Sequence, residues 1–285
     1  MYAALMLGLA VLLGYDLTAR PAWQTVLPDE LAEISGHAFT PDGRLYAHGD
    51  ELGVIYRLEP RGGRVLGWFT VAPTGRDPNL GRKQKGAAFR LGAVSGDFED
   101  IAIVGDRFFL VSSNGVLLEF RQGRDGGQVP YQTHTTGLTG KCEIEGLAHD
   151  ASTRSLLLLC KNPRGKGKET SVELYAWSLK TGRVATEPRL SVPYAALAQA
   201  TGVAKFNGSA IAANPNGKSF LLVAGPQQTF AEVDRSGRVL RGGRFARGVY
   251  RQPEGAAFAP DGSVLISSEA AGGRATIAGY VPATR

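Results

Sequence analysis

Five stretches of the chain open with two polar residues spaced two positions apart: Glu33 and Ser35, Asp97 and Glu99, Glu143 and Glu145, Asn207 and Ser209, Gln252 and Glu254. Side chains alternate along a β-strand, so both members of each pair share a face. Glu33, Asp97, Glu99, Glu143, Glu145 and Glu254 are carboxylates. Gathered in one narrow space they repel each other, and the cost rises as water is excluded. Protonation, hydrogen bonds from amides and basic side chains, or a divalent cation would relieve that repulsion. Oxygen ligands without histidine or cysteine favour Ca²⁺ over zinc or copper, so Ca²⁺ is the expected ion and these six acids are its candidate ligands. The competing reading is that each acid hydrogen-bonds to a neighbouring strand and pins the structure.

Each pair heads a copy of one repeat. In QPEGAAFAPDGSVLISSE, Gln252 to Glu269, an apolar strand leads to the tight turn Pro260-Asp261-Gly262 and a second strand returns through Val264-Leu265-Ile266. SGHAFTPDGRLYAHGDE aligns Ser35 with Glu254 and Pro41-Asp42-Gly43 with the turn; SAIAANPNGKSFLLVAG aligns Ser209 and Pro215-Asn216-Gly217. EDIAIVGDRFFLVSS and EGLAHDASTRSLLLLCK place Glu99 and Glu145 there with altered turns. Repetition of this kind means an array of small sheets. The expected fold is an all-β, five-bladed β-propeller, with the pairs on the innermost strands facing the central channel. Glu33, Asp97, Glu143, Asn207 and Gln252 would form an outer tier, and Ser35, Glu99, Glu145, Ser209 and Glu254 a deeper one.

The last repeat is one strand short, and the isolated run Ala22 to Leu27 is expected to close the ring by supplying it. Residues 21–285 would then be the propeller and residues 1–20 a signal peptide or membrane anchor. Ala3 to Gly14 is almost wholly apolar, short for a membrane span and close to the apolar region of an export signal, although no lysine or arginine precedes it. An exported, periplasmic or extracytoplasmic protein, with the segment removed or kept in the cytoplasmic membrane, is the expectation; a buried N-terminal strand or a misplaced start codon are the competing readings. The expected blade-two strands end with Val129 to His134, and blade three is expected to be followed by a long connection to Asn207 holding a short helix near Tyr194 to Ala200.

The 285 residues, 43% of them hydrophobic, can bury a substantial core, and 38 glycines with 15 prolines suit many tight turns. The net charge of +6 is concentrated in Arg82-Lys83-Gln84-Lys85, in Arg164 to Lys168 and in Arg241 to Arg251. These patches are either solvated blade edges or the footprint of an anionic partner such as lipid or glycan. Nucleic acid is not expected, because aromatic residues are not interleaved with the charges. Cys142 and Cys160 bracket the third repeat, as a cross-strand disulfide or as two buried thiols. Lys141, beside the ring, is expected to neutralise an acid.

The array E-I-S-G, E-D-I-A, E-G-L-A, S-A-I-A and P-E-G-A-A-F, at Glu33, Glu99, Glu145, Ser209 and Pro253, resembles the SdiA-regulated, YjiK-like propellers, distant relatives of NHL-repeat proteins. The likeness runs from about Leu31 to the C-terminus. It implies a five-bladed propeller, a calcium site and an N-terminal membrane or export segment. Asp100 stands where the family carries glycine, and His37 interrupts the apolar run of blade one. The expected function is a monomeric ligand- or protein-binding module with Ca²⁺ in its channel and a partner at its loop faces. The alternative is a metal-dependent hydrolase, a phytase-like phosphoesterase or lactonase-like esterase, using the same acids. Only four histidines are present, and His37 and His149 are the two candidate bases.

Overall fold

The computed structural model describes residues 14–73, 92–161, 163 and 170–282. The apolar run up to residue 13 and the basic stretches 82–85 and 164–168 lie outside the described residues.

Strand β1 (Trp23–Val26) precedes blade one, which holds β2 (Ile34–Phe39), β3 (Leu45–Gly49), β4 (Val54–Leu58) and β5 (Val65–Val71). Blade two holds β6 (Phe98–Val104), β7 (Arg107–Ser112) and β8 (Val116–Arg121); a short β9 (Gln128–Val129) precedes its outermost strand, β10 (Tyr131–Thr135). Blade three holds β11 (Glu143–Asp150), β12 (Ser155–Lys161) and β13 (Ser171–Ser178), with β14 (Arg183–Val184) and β15 (Leu190–Pro193) both paired to β13. After the helix α1 (Tyr194–Thr201), blade four holds β16 (Ala210–Ala213), β17 (Ser219–Ala224), β18 (Thr229–Asp234) and β19 (Val239–Arg244). Blade five holds β20 (Gln252–Phe258), β21 (Val264–Glu269) and β22 (Thr276–Tyr280), and β1 pairs antiparallel to β22, with Trp23 opposite Gly279. The all-β, five-bladed propeller expected from the repeat is therefore the observed fold.

The recurring turns depend on glycine. Gly43, Gly217 and Gly262 close the Pro-Asp-Gly and Pro-Asn-Gly turns at φ of 84°, 70° and 83°, where a Cβ would be strained. Among the described residues the core is divided into five apolar clusters, one between each pair of adjacent blades. Phe69, Phe108 and Phe120 pack edge-on or tilted between blades one and two, and Leu174, Leu197 and Phe220 fill the gap between three and four.

Three local features differ from the sequence expectation. Val129, expected to begin the last strand of blade two, instead pairs together with Gln128 in parallel with Val71 and Thr70 of blade one. The hydrogen bond from Trp68 N–H to Asp125 Oδ1 holds the preceding loop against β5 before the chain crosses over. The connection after blade three contains β14 and β15, which complete that blade, and α1 packs so closely on β19 that a Cβ at Gly242 would meet Thr201 at 2.9 Å. Finally, the folded body begins before the expected boundary at residue 20. Tyr15 and Leu17 are 6% and 0% exposed between blades four and five, and Tyr15 donates to Glu232 Oε2 at 3.1 Å beneath the Arg241 guanidinium. Among the described residues no helix is long and apolar enough to cross a membrane.

Candidate functional site

The innermost strands β2, β6, β11 and β20 share a β-bulge, at Ser35, Glu99, Glu145 and Glu254. In blade four the paired strand starts only at Ala210, and Ser209 donates its N–H to Val223 O at 2.8 Å. An extra residue at a bulge is left out of the ladder and turns its side chain away from the regular pleat. The deeper-tier residues are therefore bulge residues or, in blade four, the residue just before the ladder. Ser35, Glu145 and Ser209 are buried, Glu99 and Glu254 partly so, while Glu33, Asp97 and Glu143 are exposed at the rim.

Three further charged residues reach this mouth from the ends of the second strands. Asp50 follows β3 and donates its N–H to Glu33 O, Lys161 ends β12 opposite Glu143, and Glu269 ends β21 opposite Gln252. Lys161 Nζ lies 2.8 Å from Glu145 Oε1. Lys161 neutralises a ring acid, the role expected of Lys141; the Lys141 ammonium instead donates to Thr186 O and lies over the Tyr175 ring. Lys161 and Glu269 are the last residues of their copies of the repeat and Asp50 the last but one of its copy, a position that by itself does not show what they meet.

Crowding shows in the proton affinities. Burial, with Glu145 and Asp97 adding repulsion, pushes Glu99 up to about 9. Burial, with Glu269 and Glu145 nearby, raises Glu254 to about 8 against a hydrogen bond from Gln252 that opposes the shift. Glu269 rises to about 7 through burial and the charges of Asp50, Glu33 and Glu145, and Asp50 to about 6 through burial, Glu33 and Glu51. Burial also raises Glu145, against the pull of Lys161. Burial alone would lower Lys161, but its hydrogen bond to Glu145 outweighs that and keeps the ammonium charged. At neutral pH the mouth thus combines neutral carboxyls at Glu99 and Glu254 with the Lys161 ammonium bonded to Glu145, a supply of both donors and acceptors.

The donor chemistry of this mouth fits a hard divalent cation: carboxylate oxygens, partly desolvated and mutually repelling. Its spacing does not: among the described residues no three His, Cys, Asp or Glu side chains form a group that could hold a metal ion.

The inter-blade pins are mainly other residues. Asp100, buried, accepts from Leu147 N at 2.7 Å and from Ile101 N at 2.8 Å, joining blade two to blade three. Burial holds its carboxyl well above the usual range. Ser209 Oγ donates to Pro253 O at 2.9 Å and accepts from Gly225 N, joining blade four to blade five. Cys142 and Cys160 form a disulfide beside Glu143 and Lys161.

Below the mouth the innermost strands line a solvent-open pocket of about 130 Å³, with residues of all five blades and both candidate bases on its wall. Burial lowers His37 to about 4 and lowers His149 as well, so both rings are neutral. They line this lower space and not the acid mouth.

No protein-family model matches the chain, and no curated protein matches it. Solved structures do. Glutaminyl cyclase from Myxococcus xanthus is similar with a TM-score of 0.58 and 11% identity over 92% of this chain and 94% of its own. The PQQ-bound aldose sugar dehydrogenase from Streptomyces coelicolor has a TM-score of 0.52 and 15% identity over 92% and 99%, and U3-55K a TM-score of 0.52 and 12% identity over 92% and 99%. At such identities the shared property is the fold, and the chain is a five-bladed member of the β-propeller architecture.

Proposed function

We propose that this chain is an exported or membrane-tethered propeller of the SdiA-regulated type that binds Ca²⁺ at the acidic mouth of its channel and presents that mouth to a ligand or protein. The observation that carries the reading is the charge imbalance of the mouth. Glu99, Glu145, Glu254, Glu269 and Asp50 all have raised proton affinities, with one ammonium, Lys161, among them. A divalent cation would take over the role that protons fill, with Glu99, Glu145 and Glu254 as deeper ligands and Glu33, Asp97 and Glu143 at the rim. Export is supported by the apolar run at the N-terminus and by the Cys142–Cys160 disulfide, since disulfides persist in oxidising compartments. The exposed arginines 244, 247 and 251 suit an anionic lipid or glycan.

A second reading, a metal-dependent phosphoesterase or lactonase-like esterase, draws on the split in proton affinities. A neutral Glu99 carboxyl beside the Glu145–Lys161 pair supplies a proton donor and an ionised acceptor in one mouth. Two of the structural neighbours are, by name, enzymes.

The test is thermal unfolding of the full chain in chelator, Ca²⁺ or Mg²⁺, with Glu99→Gln and Glu254→Gln alongside. A Ca²⁺-selective rise in Tm that both substitutions weaken is expected, because a ligand held by the native state alone stabilises it. No shift with any divalent ion would overturn the calcium reading. Turnover of a phosphoester or lactone that vanishes in Glu145→Gln and with chelator would favour the hydrolase.

A further inference from the structure

At its mouth end blade five carries a pocket of about 380 Å³ on the face turned toward blade four. Strand pairing builds the wall: Val26 of β1 stands opposite Thr276 of β22, and Thr276 opposite Ser268 of β21. Side chains alternate along β21, so Glu269 points to the other face of the blade, where Leu265 joins the core shared with blade one. The sheet thus stands between the pocket and that acid. Two guanidiniums complete the lining, Arg251 from the connection after blade four and Arg274 from the turn after β21.

Charge sets this pocket apart. A second pocket, of about 420 Å³ between blades one and two, also holds two arginines, but there Arg44 pairs with Asp42 and Arg121 with Asp106 on the same wall. Among the described residues no aspartate or glutamate lines the blade-five pocket, and neither Arg251 nor Arg274 is in an ion pair. Arg251 is also held in place. Its guanidinium lies so close to Gly273 that a Cβ there would meet Cζ at 2.6 Å, and Nη1 donates to Ala271 O at 3.4 Å. The buried Ser268 hydroxyl accepts from the N–H of Arg251 and of Gln252, which fixes the backbone from which the side chain leaves. An arginine ordinarily loses much rotamer freedom on binding, and here part of that loss is already made. Arg274 follows Gly273 directly, so the turn that steadies the first cation carries the second.

Two permanent cations without a counter-ion match a doubly charged anion. A phosphate monoester carries about −1.5 to −2 at neutral pH on three acceptor oxygens, where a carboxylate carries a single charge, and the guanidinium fork fits those oxygens. Thr276 adds a donor, since its Oγ1 accepts from Gln24 Nε2 at 3.2 Å and its own hydrogen is unengaged among the described residues. Val26, 41% exposed, gives the same pocket an apolar wall, so an ester with a carbon body is favoured over bare phosphate.

We propose that this pocket binds a small organic phosphate monoester, its phosphoryl oxygens held by Arg251, Arg274 and the Thr276 hydroxyl and its carbon body resting on Val26. The site is separate from the acid mouth and stands whether or not the mouth binds Ca²⁺.

Phenyl phosphate is the probe, titrated into the full chain by calorimetry in chelator, so that no ion at the mouth contributes. Inorganic phosphate and vesicles of phosphatidic acid in phosphatidylcholine are run alongside. Phenyl phosphate is expected to bind saturably, one per chain, and more tightly than inorganic phosphate. Arg251→Gln and Arg274→Gln should each weaken it about tenfold, the worth of one charge-assisted hydrogen bond. Val26→Ser should lower its affinity toward that of inorganic phosphate and leave the latter unchanged. Arg244→Gln, at an exposed arginine outside the pocket, should change nothing. All four substituted residues are surface residues, so the folded protein remains the object measured. Absence of saturable phenyl phosphate binding, equal losses in Arg244→Gln and Arg251→Gln, or undiminished binding in Arg274→Gln would each overturn the proposal. Binding to the vesicles without binding of phenyl phosphate would overturn it in favour of a lipid surface.

Discussion

Replacing Glu99 with Gln should make the protein more stable at neutral pH, although it removes an ionisable residue from the site. Glu99 holds its proton up to about pH 9 in the fold, against an ordinary value of 4.5. Between those values the folded protein carries a proton that the unfolded chain has released, so stability falls as pH rises through this window. Each pH unit costs about 1.4 kcal/mol. From 4.5 to neutral that is about 3 kcal/mol, which sharing of protons with Glu145 and Glu254 and residual exposure reduce to about 1–3 kcal/mol. Glutamine keeps the shape and the hydrogen-bonding capacity of the neutral acid and needs no proton. Urea unfolding without divalent ions should therefore give equal midpoints for the two proteins near pH 5 and a higher midpoint for Glu99→Gln near pH 8. The wild-type curve should fall steeply in between, as Glu254 at about 8 and Glu269 at about 7 act with the same sign. Saturating Ca²⁺ should cancel or reverse the advantage, because the ion rewards the ionised form. A Glu99→Gln protein destabilised by the same amount at both pH values, or a wild type gaining stability from pH 5 to 8, would refute the reasoning.

Two other perturbations test the frame that holds the mouth. Deleting residues 1–20 should cost about 2–5 kcal/mol more than deleting 1–13, because it strips buried Leu17 and the Tyr15 ring from the seam between blades four and five; comparison of their denaturation midpoints decides. Gly36→Ala should destabilise by at least about 1–3 kcal/mol, since its Cβ would come within 2.5 Å of Asp100 Oδ1 and 2.7 Å of His48 Nε2, and an unchanged Tm would show that the seam between blades one and two is looser than drawn.

The repeat made the five blades legible because the inner strand, the turn and the return strand are specified locally and recur in phase. The two tiers could be read for the same reason, although the bulges at Ser35, Glu99, Glu145 and Glu254 show that simple alternation was an incomplete account of why these side chains leave the ladder. Contacts between elements were not legible. Asp50, Lys161 and Glu269 reach the mouth because the second strand of a blade returns to the level where the first began, and that meeting depends on register. Lys141 sits next to the ring in sequence and faces out of it. The place of Tyr15 and Leu17 was hidden by the apolar run directly before them, whose composition is that of a leader whether or not its last residues fold.

Stacking along a single strand accounts for the mouth. On β2, β6 and β11, residues at spacing two pass from an exposed carboxylate to a bulge residue and then into the packing between blades, so one repeated segment builds the acidic mouth. Glycine at position 36, 146 or 255 lets neighbouring blades approach between these levels, and at position 100 an aspartate bonds across the seam. Charge is thereby confined to the upper end. A cation entering the mouth meets carboxyls and a lysine.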